Sequence, residues 1–296
     1  MRVFVTGGTG FVGSVFVPEL IRAGHQVLGL ARSEAAARAL VAAGAEAERG
    51  DLGDLDVLRR GALAADAVIH AGFDLDLSNW EKGGEIDRRA IETFGAALAG
   101  SERLLLITSG AFGVDARGVA SETDGPLRAL PRPTEIAAEE ASERGARVAV
   151  LRLGVVHGPG DRHFLPALIA IARAKGISAY VGDGAQRWPT AHVLDTADAY
   201  RLALEKGSAG RYHAIAEQGV PVREIASVIA KKLDVPLVSQ SAEEAAAHFG
   251  PLAPLVSTDR PTASARTREE LRWRPRHCTL IEDLEQGTYF ERARAD

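Results

Sequence analysis

The chain has 296 residues, 46% of them hydrophobic and 25% charged, and a formal net charge of −5 at neutral pH. That length buries a core without covalent staples, and the single cysteine, Cys278, excludes a disulfide framework and a multi-cysteine zinc site. With no basic excess the chain is not a general nucleic-acid binder, and no run of about 18 apolar residues offers a membrane span.

Residues 1–6 run straight into glycines without a leader-like apolar stretch, which reads as a cytoplasmic protein. Residues 3–6, 26–31, 45–49, 67–71, 103–108 and 147–153 read as short strands, apolar on both faces. Alanine-rich helical patterns at 12–23, 34–43, 86–98 and 134–144 lie between them. Strands of that kind belong in a parallel sheet covered by helices, and the alternation predicts a doubly wound α/β fold. After Leu153 the rhythm changes: a turn at 157–160, a helix at 165–174, a strand at 178–181 and a glycine turn at 182–184. A helix and strand at 195–204 and 211–215 follow, then helical or strand patterns at 222–232, 236–239 and 242–248, and a last helix from Leu280. The expected division is a nucleotide-binding unit of residues 1–155 plus about 193–215. A smaller interwoven C-terminal substrate unit takes 156–192 and 216–296.

Gly7-Gly8-Thr9-Gly10-Phe11-Val12-Gly13 follows the first strand and opens the first helix. Glycines there let backbone approach a pyrophosphate and set its charge at a helix N-terminus. An NAD site wants an acidic residue roughly 20 residues on, to hold the ribose 2′-hydroxyl. Arg32 and Ser33 stand there instead, a pair suited to a 2′-phosphate. The expected cofactor is NADP(H), with NAD as the alternative because Glu34 adjoins.

The sequence resembles the short-chain dehydrogenase/reductase superfamily, in the extended or atypical branch that holds nucleotide-sugar epimerases and dehydratases, a Rossmann fold. Thr6–Gly13 is similar to that family's cofactor loop, with Gly7, Thr9, Gly10, Phe11, Val12 and Gly13 expected against the dinucleotide. Asp51 and Leu52 resemble the segment touching adenine, and Ala71 and Gly72 the loop lining the cofactor after the fourth strand. Thr108 and Ser109 stand where the family keeps its catalytic serine, and Gly154 and Val156 in the strand and loop beside the nicotinamide. His192-Val193-Leu194-Asp195 and the segment from Leu271 to Pro275 resemble later landmarks.

The family's chemistry uses a tyrosine about 25 residues after the serine, with a lysine four residues further on to lower the phenol pKa. Those positions hold Thr134 and Ala138. Nor is the pair displaced: the five lysines, Lys82, Lys175, Lys206, Lys231 and Lys232, have no tyrosine four residues before any of them. Ser109 is the expected catalytic group on the substrate oxygen. Glu135, His157 and Tyr180 are candidate replacement acids, each with a plainer reading as a first-turn helix charge, a turn residue and a packing residue.

His157, Asp161 and His163 have metal-like types, but Pro159 and Gly160 keep them off a common helix face, so no metal is expected. Arg187 lies five residues before His192 rather than the four of many relatives, which does not support a nucleotide-sugar substrate. The expected activity is oxidation or reduction of an alcohol or carbonyl of a small molecule. An epimerase- or dehydratase-type enzyme with a tightly held cofactor, and a non-catalytic dinucleotide sensor, are the alternatives. By analogy, helices near 85–98 and 134–144 admit a homodimer.

Overall fold

A computed structural model describes residues 1–73, 80–128 and 133–291. The first half alternates β1 (Arg2–Thr6), α1 (Gly13–Arg22), β2 (Gln26–Ala31), α2 (Glu34–Ala42), β3 (Glu46–Arg49) and α3 (Leu55–Leu63). It continues through β4 (Ala67–His70), α4 (Trp80–Leu98), β5 (Leu104–Gly110), α5 (Thr134–Glu143) and β6 (Arg147–Leu153). The second half holds β7 (Val155–His157), α6 (Phe164–Lys175), β8 (Ser178–Val181), β9 (Arg187–His192), α7 (Val193–Lys206) and β10 (Gly210–Ala214). Then come β11 (Glu217–Pro221), α8 (Val222–Leu233), β12 (Leu237–Gln240), α9 (Ala242–Phe249), α10 (Ala253–Val256), α11 (Ala265–Glu270) and α12 (Leu280–Gln286).

Seven strands form one parallel sheet in the order β10-β6-β5-β4-β1-β2-β3. Apolar residues on both strand faces call for helices on both sides, and the core divides accordingly. Val3, Val5, Ile69, Leu106 and Leu151 pack with Phe16, Leu20 and Tyr200 of α1 and α7. Phe4, Val68, Ile107 and Val150 pack with Ile91, Phe94 and Ala138 of α4 and α5. The small residues of α5 serve α4 of the same chain: a Cβ on Gly95 would stand 2.7 Å from the Ala141 Cβ. That close contact joins two helices of one chain.

Three strands that carry no clear alternation in the sequence make a second sheet, β11-β9-β7. Pro189 lies in its middle strand, where a missing N–H would cost a ladder bond. The register shift in β11 between Glu217 and Val220 falls opposite it, so no paired position is demanded of the proline. β8 and β12 form a third, two-stranded sheet. A separate core of α6, α8, α9 and α12 surrounds Tyr180 and Trp188. Leu271 and Trp273, read from the sequence as part of the smaller unit, instead pack into the α1/α7 core. The Trp273 indole N–H donates to the Asp195 carbonyl at 2.9 Å, tying the returning chain to the start of α7. Among the described residues no helix is long and apolar enough to cross a membrane.

Candidate functional site

The strand face covered by α4 and α5 changes character at its C-terminal rim. Strand side chains alternate with period two, so Phe4 is followed on that face by Thr6, Val68 by His70, Ile107 by Ser109 and Val150 by Arg152. Apolar core gives way to a row of polar groups across four adjacent strands, with Thr6 paired to His70 and Ser109 to Arg152 in register.

The glycine loop opens beside this row. Gly7 has φ +73°, and a Cβ there would stand 2.6 Å from the Ala71 carbonyl and the Gly72 nitrogen. At Gly13 a Cβ would come within 2.0 Å of the Gly7 oxygen, so helix and loop meet backbone to backbone. The Gly10 N–H donates to the Gly7 carbonyl at 3.0 Å, while Thr9 and Gly10 are exposed. Phe11 and Val12 are half-buried behind them. Close packing below and open backbone above, at the start of α1, suit a pyrophosphate, so the residues present fit a dinucleotide.

Arg32 is exposed just past β2. Ser33 caps α2, its Oγ accepting the Ala36 N–H at 3.1 Å, which leaves its hydroxyl proton to give elsewhere. Asp51 is exposed, and its Oδ1 accepts the Gly53 N–H at 2.7 Å; Leu52 packs on the α4/α5-side core. A second arginine escaped the sequence reading. Arg49 ends β3 and is the register partner of Ala31, so it is exposed beside Arg32. Only the β2–β3 pairing shows this. At the other end of the cleft Thr108 shares a 2.6 Å hydrogen bond with the Tyr200 hydroxyl. Gly154 lies so close to Pro189 that a Cβ would be 2.2 Å from its oxygen, and Val156 is half-buried on β7.

The structure places the three candidate acids in the interior. Glu135 is buried, and both carboxylate oxygens accept from Arg152, at 2.9 and 2.6 Å. Both of its oxygens are already engaged as acceptors there. Tyr180 is buried in the α6/α8 core, with the Arg223 guanidinium 5.3 Å from its ring. His157 is fully buried, its Nδ1 2.9 Å from Asp283 Oδ2, so it does not present a donor to an open cleft. Thr134 is also buried and donates to Asp87. Ser109 alone of the candidates is half-exposed at the end of β5, with no hydrogen-bond partner for its hydroxyl among the described residues. Arg187 pairs with Asp259 at 2.8 Å rather than standing ready for a phosphate.

Behind β7 lies a group of histidines. The His192 and His277 rings stack at 4.9 Å and His157 meets His192 edge-on at 5.4 Å. Burial, with His157 and His277 beside it, pushes the His192 imidazole below the usual histidine range. Among the described residues, His192, Cys278 and Asp283 bring metal-type atoms within 4.8 Å of one another. Two of the three carry other bonds. His192 Nδ1 accepts the Leu194 N–H at 3.2 Å, which puts the ring proton on Nε2, and Asp283 Oδ2 accepts from Tyr289 as well as His157.

Asp161, in the loop after β7, is pushed up to about 6 by burial, against the opposing pull of the His163 and Arg162 backbone N–H groups and His157. Its Oδ2 is buried without a partner. The native state therefore binds this proton at higher pH than the unfolded chain does. The resulting penalty is full above about pH 6 and fades as pH falls toward the ordinary Asp value of about 4. Asp161→Asn is expected to stabilise the protein by about 1 kcal/mol at pH 8 and by little at pH 4. Urea unfolding at the two pH values measures the difference.

Fold and rim together define a dinucleotide-binding α/β enzyme class with its cleft at the C-terminal edge of the parallel sheet. The sequence model of the NAD dependent epimerase/dehydratase family matches residues 3–130 and 132–216, and the chain belongs to that family. It is 45% identical to C2A9.02 of Schizosaccharomyces pombe, over 98% of this chain and all of that one. It is 43% identical to YLL056C of Saccharomyces cerevisiae, over 96% and 98%. A 4-hydroxy-2-methyl-3-oxo-4-farnesyl-3,4-dihydroquinoline-1-oxide ketoreductase of Stigmatella aurantiaca is 30% identical over 84% of this chain and 80% of its own. Among solved structures, MoeE5 in complex with UDP-glucose and NAD superposes with a TM-score of 0.75 at 24% identity, covering 98% of both chains. The human epimerase family protein SDR39U1 with NADPH does so with a TM-score of 0.75 at 19% identity, covering 97% of this chain and 98% of its own.

Proposed function

We propose that the protein is an NADP(H)-dependent oxidoreductase acting on a carbonyl or alcohol of a small, largely apolar molecule. The observation that carries this is the half-exposed Ser109 hydroxyl on the rim of a complete glycine cradle. Exposed Arg32 and Arg49 and the Ser33 hydroxyl around the β2 and β3 ends favour a 2′-phosphate over a bare ribose. The ketoreductase relative favours reduction over isomerisation.

When bound, the dinucleotide supplies or accepts a hydride. Ser109 donates a hydrogen bond to the substrate oxygen and so stabilises the charge that develops there. Among the described residues Glu135 and Thr134 are both engaged in the interior, and the proposed source of the proton for that oxygen is solvent at Ser109. Gly7, Gly10 and Gly13 would let the loop backbone hold the pyrophosphate, Arg32, Ser33 and Arg49 would hold the 2′-phosphate, and Asp51 the adenine end.

Single-turnover oxidation of NADPH against a panel of small aldehydes and ketones tests the reading. Ser109→Ala is expected to lower the chemical rate roughly a hundredfold while leaving NADPH affinity unchanged. Tight NADPH binding with no turnover of any carbonyl class would count against it. The missing tyrosine and lysine favour, as a second reading, an enzyme that keeps its dinucleotide. That protein would purify with stoichiometric cofactor and form product with no net change in nicotinamide absorbance.

A further inference from the structure

The position that the family gives to its tyrosine is wired back into the cofactor loop. The Thr134 hydroxyl donates to Asp87 Oδ2, and His70 Nε2 lies 3.1 Å from Asp87 Oδ1. On the other side of that ring, His70 Nδ1 lies 2.7 Å from Thr6 Oγ1, and Thr6 Oγ1 accepts the Gly72 N–H at 3.1 Å. All four side chains are at least 98% buried. Asp87 in the middle of α4 thus joins the first residue of α5 to the ends of β4 and β1.

These contacts are mutually compatible in one proton arrangement. Asp87 accepts at both oxygens, so His70 Nε2 donates to it and Nδ1 is left to face Thr6 as an acceptor. Nδ1 then takes the Thr6 hydroxyl proton, and the Thr6 oxygen keeps a lone pair for the Gly72 N–H. The Thr6 carbonyl also accepts the Ala71 N–H at 3.3 Å, so residues 71–72 are stitched to β1 twice. This matters for the cradle because Gly7 touches the same two residues, with only 2.6 Å for an added Cβ. A shift of Ala71–Gly72 moves the floor against which the glycine loop rests. Phe94 of α4 packs on the imidazole at 5.4 Å and limits its rotation.

We propose that Asp87 and Thr134 are positioning residues for the dinucleotide, acting through His70 and Thr6 on the Ala71–Gly72 loop. This rests on dinucleotide binding at the glycine loop. The place where a catalytic phenol stands in the family is used here to hold the cofactor cradle.

The test is a double-mutant cycle on the full chain, with NADPH affinity read by fluorescence titration and folding by thermal unfolding. Thr134→Val, nearly isosteric, is expected to weaken NADPH binding roughly tenfold, and Thr134→Ser to restore it. Thr6→Val breaks the same chain at its other end, so adding Thr134→Val to Thr6→Val costs little further. Sites without shared partners at that separation would instead be additive. Asp87→Asn replaces Thr134→Val in the cycle if the valine variant does not fold, with the same non-additivity expected. Additive losses, or wild-type affinity in Thr134→Val, overturn the proposal and leave the dinucleotide reading standing. A wild-type protein that binds neither NADPH nor NADH overturns both.

Discussion

Gly10→Asp is expected to weaken NADPH binding at least roughly a hundredfold, about 2.8 kcal/mol, with little change in thermal stability. Gly10 is exposed in the loop that leads into α1, and its added Cβ would meet the Gly7 oxygen, at 3.3 Å. Its φ lies outside the left-handed region, so an aspartate fits the backbone there. The new carboxylate occupies the N-terminal end of the helix, where the unpaired N–H groups otherwise meet the pyrophosphate. Gly10→Ala adds bulk without charge and is expected to cost far less. Gly13→Ala behaves differently, because its Cβ would lie 2.0 Å from the Gly7 oxygen. It should lower stability and affinity together. Calorimetric titration with NADPH beside melting curves separates the two positions. Unchanged affinity in Gly10→Asp would place the anion elsewhere.

The reason this prediction is available from sequence is that the glycine loop carries its own geometry. Strand, turn and helix are adjacent in the chain, and glycine is required wherever backbone meets backbone. The seven-stranded sheet was legible for a similar cause: strands apolar on both faces leave few alternatives to a helix-covered parallel sheet. The sheet of β11, β9 and β7 was not, since Pro189, Pro221 and Gly219 interrupt it and its pairing is set by tertiary contacts. The same limit separates the parts of the site. Thr6, His70, Ser109 and Arg152 fall at the ends of apolar strands, and a period-two count places them on one face. Nothing in the chain, however, says that Asp87 reaches both His70 and Thr134, or that Arg49 comes beside Arg32. Those contacts join residues 17 to 47 positions apart across helix packing and strand register. Glu135 shows the converse: a glutamate in the first turn of a helix beside a vacant catalytic position looked available, and an arginine on β6 had already taken it.

That ion pair sets the largest expected loss of stability. Arg152 is fully buried, with Nε and Nη2 on Glu135 and Nη1 3.2 Å from His213 Nε2. His213 is turned by its Nδ1, 2.7 Å from the Ala263 carbonyl, and burial pushes its imidazole below the usual histidine range. It therefore stays neutral and accepts from the arginine. Among the described residues, Arg152→Ala leaves the buried Glu135 carboxylate with Arg211, 3.6 Å away, as its further cationic neighbour. Removing one partner of a buried pair costs about 3–5 kcal/mol, because the remaining charge is neither solvated nor neutralised. For a chain of this size that lowers the melting temperature by roughly 10 °C. Replacing both partners, Arg152→Met with Glu135→Leu, removes the stranded charge and should recover much of the loss. The double variant also decides what Glu135 does. If the pair is structural, the variant turns over substrate at near the wild-type rate per folded molecule. If it folds, binds NADPH and fails to turn over, Glu135 returns as the acid of the reaction and water does not supply the proton.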